Sequence, residues 1–323
     1  MNQKKFAELT GYSESTISKV FYGSAEINEE TKKSIIDKAK ELGIYDKFVK
    51  IKKKEKVVAI IVPELKSMFY NRYVDKLIEI IRSKGAISNI STTNFDDNYT
   101  TRLIDYYANS NFFDGIILIG GANVKNKKPN IPICAIFAKE NKFFDTVYNN
   151  VENAICDAIC TLKQHGHKRI AFIGEQLTTT KDKYFINALK QNNLPFYDEY
   201  MLKSNFRFEA AGEDCMSKIL SMPIKPTAIL AAYDNIAMGA IKVIKQNGYS
   251  VPNDFSIIGM DDIPSSSYHD ISLSSIRSDI DNTCSLAVEN LFNKINNPDF
   301  TKTSHTEIIS DFIKRNSIAV AKE

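Results

Sequence analysis

No run of apolar residues in this chain approaches the ~20 that a membrane-spanning helix needs, so no membrane partner is expected. The N-terminus, MNQKKFAEL, lacks the apolar core of a secretory signal, and the expected location is the cytoplasm. Cysteine is scarce. Cys134, Cys156, Cys160, Cys215 and Cys284 form an odd, scattered set that suits buried thiols in a reducing compartment. Cys156 and Cys160 fall one helical turn apart, but no matching His/Cys pair accompanies them, and no metal is expected. Catalytic signatures are missing too. There is no G-x-S-x-G elbow and no Walker A loop. Gly120-Gly121 follows an apolar run without the rest of a dinucleotide fingerprint, so no cofactor is expected. Close internal repeats are absent, and no long terminal heptad pattern builds a coiled coil.

What is present is a chain of 323 residues, 43% hydrophobic and 25% charged, long enough for two or three globular units. Net charge is only +3, but it is uneven. Residues 1–56 carry 13 Lys/Arg against 9 Asp/Glu, and the remainder carries 29 against 30. The basic excess sits at the N-terminus, where phosphate contacts would use it.

The stretch FAELTGYSESTISKVFYG, from Phe6 to Gly23, reads as two short helices joined by a tight turn. Phe6, Ala7 and Leu9 give the first an apolar face, and Gly11 can adopt the positive φ that ends it. Ser13 caps the second, with Thr16 rather than Glu at the capping-box position. Ile17, Val20 and Phe21 form its buried stripe, while Glu14, Ser15, Ser18 and Lys19 lie on the other side. A second helix of this kind is what a helix-turn-helix places in the DNA major groove. The plain alternative is a helical hairpin with a solvated face. Asn28 is placed to cap a third helix through Leu42, carrying Ile35, Ile36 and Ala39, which Gly43 ends.

From Tyr45 to Lys56 the sequence turns lysine-rich and reads as a linker. Apolar strands then alternate with amphipathic helices. Strands are expected near Val57–Val62, Ala86–Ser91, Gly115–Gly120, Ile133–Phe137, Arg169–Gly174, Ala228–Tyr233 and Ser256–Met260. Helices are expected near Tyr70–Lys84, Glu152–His165, Phe185–Asn192, Glu209–Ser221, Asn235–Gly248 and Asn282–Asn296. Asn297-Pro298-Asp299 reads as a turn. Seven apolar strands between helices indicate parallel sheet covered on both faces, in one large sheet or two smaller ones.

Two small constellations bear on chemistry. His165 and His167 flank a turn, where capping a helix C-terminus competes with metal ligation. Asp261-Asp262 lies at a strand end, where open α/β sheets bind ligands. Paired carboxylates there suit acid–base work or hydrogen bonding to a polyol. No nucleophile accompanies them, so no catalytic residue is assigned; the competing reading is an α/β enzyme acting on a sugar through Asp261 and Asp262.

The segment Ala7-x-x-Thr10-Gly11-Tyr12-Ser13-x-x-Thr16-Ile17-Ser18-Lys19-Val20, then Gly23, then Ile27-x-x-x-Thr31, resembles the N-terminal signature of the LacI/GalR family of bacterial transcription repressors. LKQHGHKRIAFIG (Leu162–Gly174), AILAAYDNIAMGA (Ala228–Ala240), VPNDFSIIGMDD (Val251–Asp262) and Leu273–Arg277 resemble later family segments in the right order. The resemblance implies an all-α helix-turn-helix headpiece (1–44), a hinge (45–56), and a periplasmic-binding-protein-like α/β core (57–323). That core would comprise two doubly wound parallel-sheet subdomains, about 57–150 plus 278–305 and about 151–277 plus 306–323. It also implies a homodimer on near-palindromic operator DNA, with a small-molecule effector, expected to be a sugar, bound between the subdomains. A purine effector and a protein co-repressor are the family alternatives.

Carried over residue by residue, the resemblance assigns base contacts to Glu14, Ser15 and Lys19, and phosphate contacts or capping to Ser13, Thr16 and Ser18. It assigns the effector to Phe69, Tyr70, Lys181, Phe206, Tyr233, Asp234 and Asp261. The chain departs from the family pattern in four places. Lys181 stands where arginine is usual, and Tyr233 replaces a small polar residue. No aspartate lies near Phe137-Ala138. The hinge lacks the family's Tyr-x-Pro-x-x-x-Ala-Arg-x-Leu, leaving Phe48, Val49 or Ile51 as the minor-groove wedge.

Overall fold

The computed structural model describes residues 3–21, 26–45, 48, 55–110, 112–120, 129–268, 271–297 and 302–322. Tyr22, Gly23, Val49, Ile51, Gly121 and the Pro298-Asp299 turn lie outside them. The chain divides into an N-terminal helical unit and a larger α/β unit.

The described residues of the first unit include α1 (Gln3–Thr10), α2 (Glu14–Phe21) and α3 (Glu29–Glu41). Gly11, at φ +73°, ends α1, and its N–H returns to the Ala7 carbonyl at 3.0 Å. The Ser13 hydroxyl accepts the Thr16 N–H at 3.0 Å, a one-sided cap for α2. The Asn28 side chain does the same for α3 through Thr31, at 2.7 Å. The apolar stripes meet in one small core of Phe6, Ile17, Val20, Ile35, Ala39 and Phe48. Phe48 packs 5.3 Å from Phe6 and 5.2 Å from Phe21 between ring centroids. It is therefore a core residue rather than an available minor-groove wedge.

The second unit holds two six-stranded sheets. Their strands in chain order are β1 (Lys56–Val62), β2 (Ala86–Thr92), β3 (Gly115–Ile119), β4 (Ile133–Ile136), β5 (Asp145–Asn150), β6 (Ile170–Glu175), β7 (Met201–Ser204), β8 (Ala228–Ala231), β9 (Ser256–Met260), β10 (Ser274–Arg277), β11 (His305–Ile309) and β12 (Asp311–Ile313). The first sheet runs β11-β5-β4-β3-β1-β2, and the second β12-β10-β9-β8-β6-β7. Among the described residues β10 pairs antiparallel with β12, and β1–β3, β3–β4, β4–β5, β5–β11, β6–β7, β6–β8, β8–β9 and β9–β10 pair in parallel. The covering helices are α4 (Met68–Ser83), α5 (Asp97–Asn109), α6 (Glu152–Gln164), α7 (Thr179–Gln191), α8 (Glu209–Leu220), α9 (Asp234–Gln246) and α10 (Ile280–Asn296). The strands form two sheets rather than one, and β1, β3, β6, β8 and β9 are apolar because helices cover both faces of each sheet.

The chain passes between the sheets at Val151, at Ser278-Asp279 and at Ser310. At the last crossing the Ser310 N–H reaches the Asn150 carbonyl at 3.0 Å, and its hydroxyl lies 3.5 Å from that of Ser278. The three crossings therefore run side by side. Residues 306–309, placed with the second subdomain on sequence, belong to the first sheet, because β11 pairs with β5 from His305↔Thr146 to Ile309↔Asn150. The Asp145 carboxylate fixes that edge by accepting from Ser304 N–H at 2.7 Å and Lys294 at 2.8 Å.

Helices α8 and α9 approach so closely that a Cβ on Gly239 would lie 2.0 Å from the Glu209 carbonyl oxygen. This contact matters for the site, because Phe208 leads into α8 and Tyr233 into α9. The Phe208 N–H donates to the Tyr233 hydroxyl at 3.3 Å.

Candidate functional site

The carboxyl ends of strands from both sheets face a cleft of about 340 Å³. This is where open α/β sheets present their loops to ligands. The first sheet contributes Glu64, Phe69, Tyr70, Phe95, Phe137 and Tyr148. The second contributes Glu175, Lys181, Tyr184, Arg207, Phe208, Tyr233 and Asp261.

Aromatic faces dominate the first wall. Phe69 stacks on Phe137 at 5.4 Å and meets Tyr70 edge-on at 5.4 Å. Burial and the nearby Asp261 carboxylate hold the Tyr70 phenol well above its ordinary value, so it stays a neutral donor. Tyr148 and Tyr184 touch through their hydroxyls at 2.8 Å, one from each sheet.

The charge spans both walls. Arg207 donates Nη1 and Nη2 to Glu64 at 2.7 and 2.8 Å, and Nε to Glu175 at 3.1 Å. Glu64 and Glu175 are buried, and the paired guanidinium is held firmly ionised. Lys181 donates to the Ala232 carbonyl at 2.6 Å and lies 3.5 Å from Asp261. Burial raises the Asp261 carboxyl, and Lys181 opposes that shift. Phe137, Phe208 and Asp261 all take positive φ, at 72°, 56° and 93°. Non-glycine residues in that region cost roughly 1–3 kcal/mol each, and such strain gathers at ligand sites.

Five of the seven sequence-assigned effector residues, Phe69, Tyr70, Lys181, Tyr233 and Asp261, line this cleft. Phe206 does not. It is 61% exposed, and its neighbours Arg207 and Phe208 face inward instead. The Ser204 hydroxyl sets that phase by accepting the Phe206 N–H at 3.1 Å. Asp234 does not reach the cleft either. It is fully buried, accepting from Ile263 N–H at 2.9 Å, Ser266 Oγ at 2.6 Å and Ser275 Oγ at 2.6 Å. Its task is to hold the loop behind Asp261, and burial pushes its carboxyl up to about 7. Sequence reasoning missed Glu64, Glu175 and Arg207. The signal available was a charged residue closing β6 and one within three residues after each of β1 and β7.

The remaining candidates for chemistry have structural employment. Asp262 is held between Arg277 and Arg315, each at 2.6 Å. His165 caps α6 through Thr161, and buried His167 bonds Thr227 Oγ1 at 2.8 Å and the Ala319 carbonyl at 3.0 Å. Desolvation lowers the His167 pKa. Cys156 donates to Gln191 at 3.0 Å. Among the described residues no group of three or more His, Cys, Asp and Glu side chains is placed to hold a metal ion. None of the helices among them is long and apolar enough to cross a membrane.

In the N-terminal unit Ser13, Glu14, Ser15 and Lys19 are exposed, and Thr16 and Ser18 are half-buried. Ser13 and Thr16 share a hydroxyl contact of 2.8 Å at the N-terminus of α2. Lys19 is paired with Glu26 at 2.5 Å on the surface.

Residues 159–318 match a family model described as a periplasmic binding protein-like domain. The chain is 26% identical over 332 residues to the probable HTH-type transcriptional repressor ExuR of Bacillus subtilis, covering 98% of this chain and 97% of that protein. It is 28% identical over 272 residues to catabolite control protein A of Priestia megaterium, covering 79% and 80%. Among solved structures, a LacI family regulator from Enterococcus faecium with bound ribose superposes with a TM-score of 0.71 at 21% identity, over 83% of this chain and 100% of that one. A putative LacI-family regulator from Sanguibacter keddieii gives 0.72 at 20% identity, over 81% and 97%. These likenesses to solved structures establish the fold.

Proposed function

The chain belongs to the LacI/GalR family of bacterial transcription repressors, and from that premise we propose that a sugar bound in the inter-sheet cleft controls its affinity for operator DNA. It is a DNA-binding regulator rather than an enzyme. The observation that carries the effector reading is the cleft itself. Aromatic rings offer faces to a sugar ring, while Asp261, Lys181 and the Tyr70 hydroxyl offer polar contacts to its hydroxyls. The ribose-bound regulator of Enterococcus faecium has a like fold.

The mechanism is linkage. A ligand touching both walls prefers one degree of closure about the three crossings at Val151, Ser278 and Ser310. Closure in turn changes the relative placement of two headpieces in a homodimer, and so the fit to two half-sites. Each headpiece sets α2 in the major groove. Lys19 donates to guanine, Glu14 accepts from cytosine N4, and Ser13, Thr16 and Ser18 meet phosphate. The work is cytoplasmic, where operator DNA and sugar meet.

Selection of sites from random duplex DNA by the full chain, with and without ribose and a panel of common sugars, tests this. A palindromic site whose occupancy shifts with one sugar supports it. Absence of salt-sensitive DNA binding contradicts the repressor reading, and a sugar-indifferent operator contradicts the effector reading.

A further inference from the structure

Five side chains lining the cleft carry charge: the acids Glu64, Glu175 and Asp261 and the bases Lys181 and Arg207. Both bases are already committed. Arg207 spends Nε, Nη1 and Nη2 on the two glutamates, which are 5% and 2% exposed. Its faces are covered as well, by the Phe95 ring at 5.5 Å and the Phe208 ring at 4.5 Å. Two carboxylates at the edges and two rings at the faces make the surroundings of a bound organic cation, and here the chain's own side chain fills them. Lys181 is turned to the Ala232 carbonyl and Asp261.

Two further cations stand behind the lining, and each is committed to a contact there. Arg72 gives Nη1 to the carbonyl oxygens of Asp261 and Asp262, at 3.1 and 2.9 Å. Lys139 stacks on Tyr148 at 4.9 Å. Neither lines the cleft. An anion entering the space would therefore face three carboxylates and find both lining bases already paired. Recruiting Arg207 to the anion would strip two buried carboxylates of their counter-charge. A neutral ring meets no such opposition, and an amino group is favoured.

We propose that the Glu64–Arg207–Glu175 cluster is a charge filter, so that the cleft accepts neutral or amino-bearing effectors and rejects those carrying carboxylate or phosphate. This rests on the cleft being the effector site, and it names the class of ligand admitted there.

Isothermal titration of the full chain with two matched series tests it. One series is glucose, glucosamine, glucuronate and glucose 6-phosphate; the other is ribose, ribose 5-phosphate, adenosine and adenosine monophosphate. In whichever series binds, the neutral or amino member is expected to bind about tenfold or more tighter than its anionic counterpart. In the Glu64→Gln/Glu175→Gln double variant the anionic member is expected to gain about tenfold relative to the neutral one. Should that variant fail to fold, Arg207→Met serves in its place: it leaves the acids unpaired, and glucosamine is expected to gain over glucose. Tightest binding of an anionic member by the wild-type chain overturns the filter. Binding of adenosine but of no sugar keeps the filter and overturns the sugar reading. Binding of no probe while operator binding persists overturns both.

Discussion

Arg72 reaches across from α4 to the loop that follows β9, where its Nη1 donates to the Asp262 carbonyl at 2.9 Å. The same nitrogen meets the Asp261 carbonyl at 3.1 Å. One guanidinium thus ties the first wall of the cleft to the backbone that presents Asp261, a backbone held at positive φ. Arg72→Ala removes this tie. Half-buried bonds from a charged donor contribute about 1.5–3 kcal/mol. The variant is expected to melt a few degrees lower and to scatter as a slightly larger particle without effector. An unchanged radius of gyration and unchanged melting would show that the tie does not hold the lobes together.

The Asp261 carboxylate is paired with Lys181 at 3.5 Å, lies near Arg72, and faces the cleft. Asp261→Asn keeps the shape and removes the charged acceptor. Effector affinity is expected to fall about tenfold or more, with operator affinity in the absence of effector unchanged. Equal effector affinity in the two proteins, measured by calorimetry, would remove Asp261 from the binding site.

Asp234 contributes a pH dependence of its own. Its folded-state pKa is raised to about 7, against an ordinary carboxylate value of about 4 in the unfolded chain. The folded state therefore holds the proton more tightly between those values. The stabilisation is full below about pH 4 and is lost as pH rises through about 7. The wild-type stability minus that of Asp234→Asn is expected to decline across that window and then level off. Urea melts at half-unit pH steps measure it; a difference that rises with pH reverses the sign of the account.

Phe48 belongs to the core of the helical unit, against Phe6 and Phe21. Truncating a buried phenylalanine costs about 3–5 kcal/mol, more than a unit this small is expected to spare. Phe48→Ala should abolish operator binding and the helical unit's melting transition while leaving effector binding intact. Retained operator affinity with loss of only the DNA bend would instead make Phe48 a minor-groove wedge.

Lys19 lies on the exposed face of α2 and is paired there with Glu26. Exposed pairs of this kind hold weakly, so DNA competes with it readily. Lys19→Ala is expected to weaken operator binding by about 1–3 kcal/mol and to relax the preference at one base pair per half-site. Uniform weakening across all sequences would reassign Lys19 to phosphate.

The elements legible in the sequence were those with long apolar periodicity. β1, β3, β6, β8 and β9 announce themselves because both faces are buried. β5, read as DTVYNN, does not; its polar residues are used up in contacts such as Asn149 to the Tyr73 hydroxyl at 2.7 Å. β10 hides for the same reason. Ser274 and Ser275 are buried polar residues satisfied by Arg315 N–H and Asp234. Helix α5 was missed because its apolar positions are few and interrupted by threonine and tyrosine.

At the site, residue types transferred well and phases did not. Phe206 and Arg207 differ by one position, and it is Arg207 whose long-range partners, Glu64 and Glu175, lie in the cleft. Asp234 is assigned to the effector by the family resemblance alone, which carries a residue type across without its burial. The three donors that consume it come from residues 29 to 41 positions away.

The most direct test of the central claim is operator binding by fluorescence anisotropy, with and without the cleft's sugar, for the wild-type chain and Asp261→Asn in parallel. The expected result is a sugar-dependent shift in operator affinity for the wild-type chain that Asp261→Asn loses at the same sugar concentration. An identical shift in both proteins, or operator binding indifferent to every sugar the wild-type chain binds, would contradict the coupling of cleft to DNA.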